Sequence, residues 1–270
     1  VESLKDPSLA GKPVVVGGAG TRGVVMSASY EARVFGIRSA MPAVRARRLC
    51  PDAIFVPPDF ESYKAHSNRF REILLAVTPL VEPISLDEAF LDVSGALLLF
   101  GEPEAIARKV RREVQDGIGV RCSVGVAPTK LVAKLASAGA KPDGMVVVRA
   151  DGVDTYLDPL PVRALWGVGE KTAETLGRLG VRTVGDLGRT PVGVLARLMG
   201  EQHARDLRDL ARGVDDRTVV PYEAPKSVSH EETFDRDLDD QRELLREVLS
   251  LSQRVAARLR EDGFRARTVT

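Results

Sequence analysis

A short segment with paired glycines constrains the fold of this chain more than any other part of it. Residues 165–181 read LWGVGEKTAETLGRLGV, in which Gly167 and Gly169 alternate with hydrophobic residues directly before a helix-forming stretch. A glycine lacks a side chain, so its backbone N–H can approach a phosphate, and the following helix adds the positive end of its dipole. The segment predicts a helix-hairpin-helix that binds nucleic-acid backbone without reading sequence, with Lys171 near the phosphate. The same pattern also permits a plain pair of helices joined by a glycine turn.

The surrounding block is consistent with phosphate binding. A partner hairpin is predicted at 198–213, with Gly200 in its turn, and residues 163–213 contain nine Lys or Arg against six Asp or Glu. The whole chain of 270 residues has a formal net charge of only +1. Any DNA-binding surface must therefore come from an uneven distribution of charge.

Composition narrows the class of protein. Cys50 and Cys122 are the two cysteines of the chain, far apart and set in mixed apolar sequence. They indicate reduced, structural residues rather than a disulfide framework. No uninterrupted apolar run approaches the ~20 residues that cross a bilayer, and no signal peptide is visible. We therefore expect a cytoplasmic protein with no membrane partner.

Hydrophobic periodicity divides the chain into blocks. Residues 60–148 predict the order helix, hairpin, helix, strand, helix, strand, which is an α+β layer of helices on one face of an antiparallel or mixed sheet. Within it, residues 102–119 predict a helix that ends at Gly117. Residues 149–213 predict short helices and no strand. Residues 213–234 indicate a linker that runs into a strand, 239–263 a long amphipathic helix closed by Gly263, and 264–270 a further strand.

Two adjacent carboxylates stand in the segment ISLDEAFLDV, residues 84–93. In a regular strand Asp87 and Glu88 would point to opposite faces, but Pro83 to Ser85 predict a hairpin turn just before them, which would let the two converge. Two-metal phosphoryl transfer uses carboxylates that hold two Mg²⁺ ions about 3.5 to 4 Å apart. Two acids are few for two ions, and we would expect a third. By itself, the segment favours a turn with solvated acids.

Two further segments carry residues suited to an oxygen-rich anion. In SYEARVFGI, Tyr30 and Arg33 are three residues apart, so both can face one ligand from a helix. In GAKPDG, Lys141 precedes a proline in a turn between a helix and a strand. Taken alone, each segment favours a solvated side chain over an anion clamp.

The order of these segments is more specific than any one of them. SYEAR, SLDEAFLD, CSVGVAPTKLVAKLAS, AKPDG and WGVGEKT follow one another along the chain, and together they resemble the Y-family translesion DNA polymerases, in particular the DinB-like branch. The resemblance implies an α+β right-hand polymerase with low fidelity. It has α/β fingers, a palm of helices on a mixed or antiparallel sheet, an all-α thumb with a helix-hairpin-helix, and a partial α+β little finger. The implied boundaries are fingers 1–59, palm 60–148, thumb 149–213, linker 214–225 and little finger 226–270.

The resemblance also implies residue roles. Asp87 would bind both metal ions and Glu88 the ion that activates the primer 3′-hydroxyl; the ions would be Mg²⁺, with Mn²⁺ as a substitute. Further roles fall on contacts to the incoming dNTP (Ser27, Tyr30, Arg33, Lys141) and on contacts to primer–template DNA (Gly167, Gly169, Lys171, Lys130, Lys134). The replication sliding clamp is a candidate partner.

One departure from the family concerns the start of the chain. Relatives open with a strand carrying an Asp-x-Asp-like element, which supplies the third metal ligand and is followed by an aromatic gate against ribonucleotides, whereas this sequence begins at VESLKDPSLAGKPV. Without that strand we expect the chain to be inactive by itself. A non-catalytic, DNA-binding relative is the alternative, but such a protein need not keep the five residues Asp87, Glu88, Tyr30, Arg33 and Lys141. A glycosylase or ligase would leave the palm segments unexplained.

Overall fold

A computed structural model of the chain describes residues 1–18, 20 and 22–270. It divides into two units, of which one comprises residues 1–62 together with 223–270 and the other comprises residues 63–222. Asp87, Glu88 and Lys141 belong to the second unit, and Tyr30 and Arg33 to the first.

Residues 1–62 form a small three-stranded sheet with short helices. The strands are β1 (Val14–Gly17), β2 (Val25–Ala28) and β3 (Ile54–Val56), and the helices are α1 (Glu2–Lys5), α2 (Tyr30–Val34) and α3 (Ala43–Leu49). The strand order is β2-β1-β3, with β1 antiparallel to β2 and parallel to β3. Apolar residues of β1, β2, α2 and α3 form the core of this part, with Ile37 fully buried among them.

Residues 60–148 contain the predicted order of elements. The helices are α4 (Phe60–Leu75), α5 (Leu97–Phe100), α6 (Pro103–Ile118) and α7 (Lys130–Gly139), and the strands are β4 (Val81–Pro83), β5 (Ala89–Leu91), β6 (Val124–Val126) and β7 (Met145–Val147). In the described residues β4 and β5 pair antiparallel and β6 and β7 pair parallel, as two separate ladders. The stop of α6 was predicted wrongly. Gly119, with φ +82°, ends the helix, whereas Gly117 lies inside it, against Ile73.

A close contact sets the position of α7. A Cβ atom on Gly125 of β6 would lie 2.0 Å from the carbonyl oxygen of Ala133 and 2.4 Å from the backbone nitrogen of Ser137. Only glycine fits where strand and helix backbones approach so closely. The contact holds α7, and with it Lys130 and Lys134, directly on the strand.

Residues 149–213 are helical, and they form no strand, as predicted. The helices are α8 (Val153–Leu157), α9 (Glu170–Arg178), α10 (Val184–Arg189), α11 (Val192–Met199) and α12 (Glu201–Ala211). Their core is continuous with α7, because Leu131, Val132 and Leu135 belong to the same buried cluster as Leu176, Leu187 and other residues of this block.

A capping box starts α10. The Thr183 hydroxyl accepts from the Asp186 N–H, and the Asp186 carboxylate accepts from the Thr183 N–H. Hydrogen bonds from the backbone N–H groups of Thr183 and Arg182 lower the pKa of Asp186 to about 2.

Residues 223–270 contain one helix, α13 (Gln241–Glu261), which the Asp240 side chain caps and after which Gly263 adopts φ +70°. The helix was predicted correctly, but the strand predicted at the end of residues 213–234 and the strand predicted at 264–270 are wrong, since neither segment pairs with another in the described residues. Alternating side chains alone do not make a strand, because its backbone needs a hydrogen-bonded neighbour. Of the predicted α+β composition, this part of the chain contains the helix alone.

Two predictions from composition can be compared with the structure. Cys50 and Cys122 are both free thiols, and Cys50 is buried. In the described part of the chain, no helix is both long and apolar enough to cross a membrane.

Candidate active site

The two adjacent carboxylates lie in the loop of the β4–β5 hairpin. Pro83 pairs with Ala89, which leaves residues 84–88 as the loop. The backbone N–H groups of Ile84 and Ser85 both donate to the Glu88 carbonyl, at 2.8 and 3.2 Å. The turn therefore includes Asp87 and Glu88 rather than preceding them, and the alternation of a strand no longer separates their side chains.

Each carboxylate has a different partner. The Ser85 hydroxyl donates to Asp87 Oδ1 at 2.7 Å, and the Asp87 side chain is exposed. Glu88 is partly buried, and its Oε2 accepts from Lys134 Nζ at 3.1 Å. No group of three or more His, Cys, Asp or Glu suited to hold a metal ion occurs among the residues that the structure describes. Two carboxylates still fit Mg²⁺, because this ion is often held by one or two carboxylates together with substrate phosphates.

Tyr30 and Arg33 lie on one turn of α2, as their spacing predicts. The Ser29 hydroxyl caps the helix by accepting from the Ala32 N–H at 3.2 Å, so Tyr30 is the first helical residue. The guanidinium carbon of Arg33 is 6.0 Å from the centre of the Tyr30 ring. Arg33 Nε donates to the Ala28 carbonyl at 3.0 Å, which orients the guanidinium beside the exposed phenol.

Ser27 lies on the neighbouring strand, where it pairs with Val16 in the β1–β2 ladder and its side chain is exposed. This unit therefore presents a hydroxyl, a phenol and a guanidinium from β2 and α2, a set that suits a phosphate-bearing ligand.

Lys141 lies in the loop between α7 and β7, before a cis peptide bond to Pro142. Its side chain is exposed, and its Nζ has no hydrogen-bond or ion-pair partner among the described residues. Arg111 of α6 fixes this loop: its Nη2 donates to Asp143 Oδ1 at 2.6 Å and to the Asp143 carbonyl at 3.1 Å. Its Nε donates to the Cys122 carbonyl at 3.1 Å. The lysine is thus solvent-facing on a loop that is held from one side.

At residues 165–181 the glycine loop leads into one helix, α9, and the element before the loop is a single 3₁₀ turn, Val162–Ala164. Gly167 adopts φ +92°, a conformation that glycine favours, and Gly169 is the N-cap of α9. A Cβ on Gly169 would meet nothing within 4 Å, so internal packing does not require a glycine there. Lys171 is exposed in the first turn of α9. Gly200, with φ +84°, forms the turn of the partner hairpin between α11 and α12.

The structure places Lys130 in an ion pair, which does not support the predicted contact to DNA. Its side chain is 11% exposed, and its Nζ donates to both carboxylate oxygens of Glu82 at 2.6 Å and to the Thr218 carbonyl at 3.1 Å. Glu82 also accepts from the Val220 N–H at 2.7 Å. The pair therefore attaches residues 218–220 to the β4–β5 hairpin and α7.

Two contacts near Glu88 were missed in the sequence. Lys134 was interpreted as a DNA contact, but it binds Glu88, and Trp166 was interpreted only as part of the glycine motif. The spacing of Lys130 and Lys134, four residues apart, could have indicated that both reach the same neighbour, because such residues share a helix face. That neighbour is the β4–β5 hairpin, which carries both Glu82 and Glu88.

Models of protein families match most of the chain. A model of the impB/mucB/samB family matches residues 1–138, a model of the HHH motif of the IMS family matches residues 150–181, and a model of the impB/mucB/samB family C-terminal domain matches residues 225–270.

Two of the curated relatives are both named DNA polymerase IV. The DNA polymerase IV of Desulfatibacillum aliphaticivorans is 47% identical over 269 residues, which are 100% of this chain and 68% of the relative. The DNA polymerase IV of Stenotrophomonas maltophilia is 51% identical over 238 residues, 88% of this chain and 67% of the relative. The chain therefore spans about two thirds of the length of these relatives.

Solved structures share the fold. DinB from Sulfolobus solfataricus aligns with a TM-score of 0.75 and 34% identity, covering 81% of this chain and 64% of that one. A Y-family DNA polymerase chimera aligns with a TM-score of 0.86 and 30% identity, covering 95% and 76%. An insertion ternary complex of Dbh DNA polymerase aligns with a TM-score of 0.74 and 33% identity, covering 81% and 65%.

Proposed function

Since the chain belongs to the impB/mucB/samB family of Y-family DNA polymerases, in the DNA polymerase IV (DinB-like) branch, we propose that it serves translesion synthesis. The reaction is the DNA-templated transfer of a nucleotide from a dNTP to a primer 3′-hydroxyl, with low fidelity. The observation that carries the proposal is the pair of carboxylates Asp87 and Glu88 on one hairpin loop.

Asp87 and Glu88 are the residues that would hold the divalent ions. Their oxygens suit Mg²⁺, with Mn²⁺ as a substitute. Bound there, such ions would lower the pKa of the primer 3′-hydroxyl and stabilise the charge that develops on the phosphate oxygens. The protein's own contribution is to hold both carboxylates on a loop closed by two hydrogen bonds to the Glu88 carbonyl.

Ser27, Tyr30, Arg33 and Lys141 are the proposed contacts to the dNTP triphosphate. Each side chain is exposed or partly exposed, and each carries a donor suited to phosphate oxygen. The contact between Arg33 and Tyr30 supports a joint role on one ligand.

Gly167, Gly169 and Lys171 are the proposed contacts to the primer backbone. The exposed N-terminus of α9 and the open space beside Gly169 support close approach of a phosphate. One of the solved neighbours is an insertion ternary complex of a DNA polymerase, which supports DNA and nucleotide as partners for this chain. Lys134 is assigned to the loop of Asp87 and Glu88 instead of to the DNA contacts, because its Nζ donates to Glu88.

The domain division remains a proposal. Fingers 1–59, palm 60–148, thumb 149–213, linker 214–225 and little finger 226–270 agree in order with the matched family models. A DNA polymerase acts where DNA and dNTPs are, so we place it in the cytoplasm, and a sliding clamp remains a predicted partner. The non-catalytic alternative is not favoured, because a DNA-binding subunit has no need of Asp87 and Glu88.

Primer extension by the natural full-length protein, with Mg²⁺ and dNTPs, tests the function. Asp87→Ala and Glu88→Ala should each lower kcat by about a thousandfold or more, because metal ligation supplies several kcal/mol of transition-state stabilisation. Affinity for primer–template DNA should stay within about twofold of wild type, since the glycine hairpin supplies backbone contacts. Glu104→Ala is the matched control, because this acid pairs with Arg108 on the surface of α6, away from the hairpin loop. Full extension by both carboxylate variants would refute the site.

A further inference from the structure

Trp166 is the only tryptophan of the chain, and two cationic side chains lie over its ring. The Nζ of Lys134 lies 5.3 Å from the ring centre, and the guanidinium carbon of Arg217 lies 4.9 Å from it. The indole is 41% exposed and stands directly before Gly167 of the hairpin loop. Cations at such distances from an indole face are attracted by its quadrupole.

The two cations differ in what else holds them. Arg217 is bound to Asp215 through Nε at 2.6 Å and Nη2 at 2.9 Å. The Asp215 side chain is only 2% exposed and also accepts from the Leu131 N–H at 2.9 Å. Burial tends to raise the pKa of Asp215, but the hydrogen bonds from Arg217 and Leu131 outweigh it, so the pKa is lowered. The guanidinium of Arg217 over the indole is therefore held in place by Asp215.

Lys134, by contrast, reaches from the indole to the proposed active site. Its Nζ donates to Glu88 Oε2 at 3.1 Å, and its side chain is 32% exposed. Phe90, two residues after Glu88, also contacts the indole, with ring centres 6.4 Å apart. Trp166 thus contacts both the lysine that binds Glu88 and the strand that follows Glu88.

We propose that Lys134 and Trp166 are positioning residues for the Glu88 carboxylate. A free lysine side chain has many rotamers, and the indole face restricts them so that the ammonium stays beside Glu88. The carboxylate is then held in one orientation instead of rotating in solvent. Because Trp166 precedes Gly167, the proposed DNA-contacting loop and the proposed metal-binding loop share one fixed contact. This inference rests on the proposed function.

Trp166 fluorescence tests the contact without any activity measurement. Glu88→Gln removes the anion that Lys134 binds, so the ammonium should move relative to the indole, and the emission of the free protein should shift in intensity or wavelength. Asp87→Asn is the matched control. It makes the same charge change one residue away, where the side chain binds Ser85 rather than Lys134, and should leave the emission unchanged. Equal emission from wild type and Glu88→Gln, or the same shift in both variants, would overturn the proposal.

Primer extension then tests the positioning role. Trp166→Ala and Lys134→Met should lower kcat on the order of tenfold, because small misplacements of reacting groups are costly. The KM for dNTP and the Kd for DNA should stay within about twofold, since neither residue is among the proposed contacts to those ligands. Trp166→Phe keeps an aromatic face, and Lys134→Arg keeps a cation, so both should recover most of the lost rate.

The outcomes separate this inference from the function on which it rests. A change confined to DNA affinity, or a failure of Trp166→Phe to recover the rate that Trp166→Ala loses, would assign Trp166 to DNA binding or to packing instead. If wild-type protein did not extend primers at all, the proposed function would fail, yet the fluorescence comparison would still decide whether Lys134 responds to Glu88.

Discussion

Replacing Glu82 by alanine would leave the ammonium group of Lys130 without its anion where only 11% of that side chain is exposed. Glu82 lies on β4 and makes one further interaction, because it also accepts from the Val220 N–H at 2.7 Å. Its removal would therefore leave a buried cation unpaired and an amide of the following segment without its acceptor.

The destabilisation expected from Glu82→Ala can be bounded from the burial of the ion pair. Breaking a buried ion pair by removing one partner costs about 3 to 5 kcal/mol. Glu82 is still 23% exposed, so water can partly replace it, and the lower end applies. We expect Glu82→Ala to lower the free energy of unfolding by about 3 kcal/mol, which in a domain of this size lowers Tm by roughly 6 to 12 °C.

A double-mutant cycle followed by thermal unfolding measures the pair. Lys130→Met should cost less than Glu82→Ala, because the Glu82 carboxylate that it leaves unpaired is more exposed than the Lys130 ammonium, 23% against 11%, and still accepts from the Val220 N–H. Replacing both residues by apolar ones of similar size should recover much of the loss, because an unpaired charge then no longer remains. Recovery should stop short of wild type by about 1 kcal/mol, as the backbone groups of Thr218 and Val220 keep no partner. Glu104→Ala breaks an exposed pair in the same unit and should cost about 0.3 to 0.5 kcal/mol.

The cycle also decides between the two interpretations of Lys130. A DNA contact predicts that Lys130→Met weakens DNA binding and leaves Tm unchanged. The ion pair predicts a lowered Tm and DNA affinity that changes little. Glu82→Ala with a Tm equal to that of wild type would refute the structural role.

Three further predictions follow from local geometry. Gly125→Ala should lower the free energy of unfolding, measured in denaturant, by about 3 kcal/mol or more, because a clash with backbone atoms cannot be relieved by a rotamer change. A decrease below about 1 kcal/mol would contradict the close approach of β6 to α7 at Gly125. Asp186 has a folded pKa of about 2, below its ordinary value of 3.8, so its stabilisation is present above the unfolded pKa and is lost as pH falls through the folded one. The free energies of unfolding of wild type and Asp186→Asn should therefore differ most above pH 3.8 and converge toward pH 2. A difference that stayed constant with pH would exclude the Asp186 carboxylate as its source. Arg111→Met should raise the KM for dNTP about fivefold with kcat nearly unchanged, because Arg111 no longer holds the loop that carries Lys141. Arg108→Met, on the solvent face of the same helix, should change neither KM nor kcat.

Much of the architecture could be predicted from local patterns. The 3.6-residue spacing of apolar side chains indicated the helix closed by Gly263, and the glycines at 167, 169 and 200 indicated the two hairpins. These features depend on residues close in sequence, whose preferences survive in the folded chain. The order of the motifs likewise indicated the family, which the matched models and relatives confirm. The strands predicted at the end of residues 213–234 and at 264–270 were wrong because strand formation depends on a neighbour that the local pattern cannot supply.

The sequence by itself determined where the long helices lie, where glycine turns join some of them, and that Asp87 and Glu88 are adjacent at a turn. The tertiary structure alone decided which charges meet. Lys130 and Lys134 look equivalent in the sequence, four residues apart on one helix. In the structure, however, Lys130 pairs with Glu82, whereas Lys134 contacts Glu88 and Trp166. The physical reason is that a lysine side chain is long and flexible, so its partner is chosen by the surfaces that pack around it and not by its neighbours along the chain.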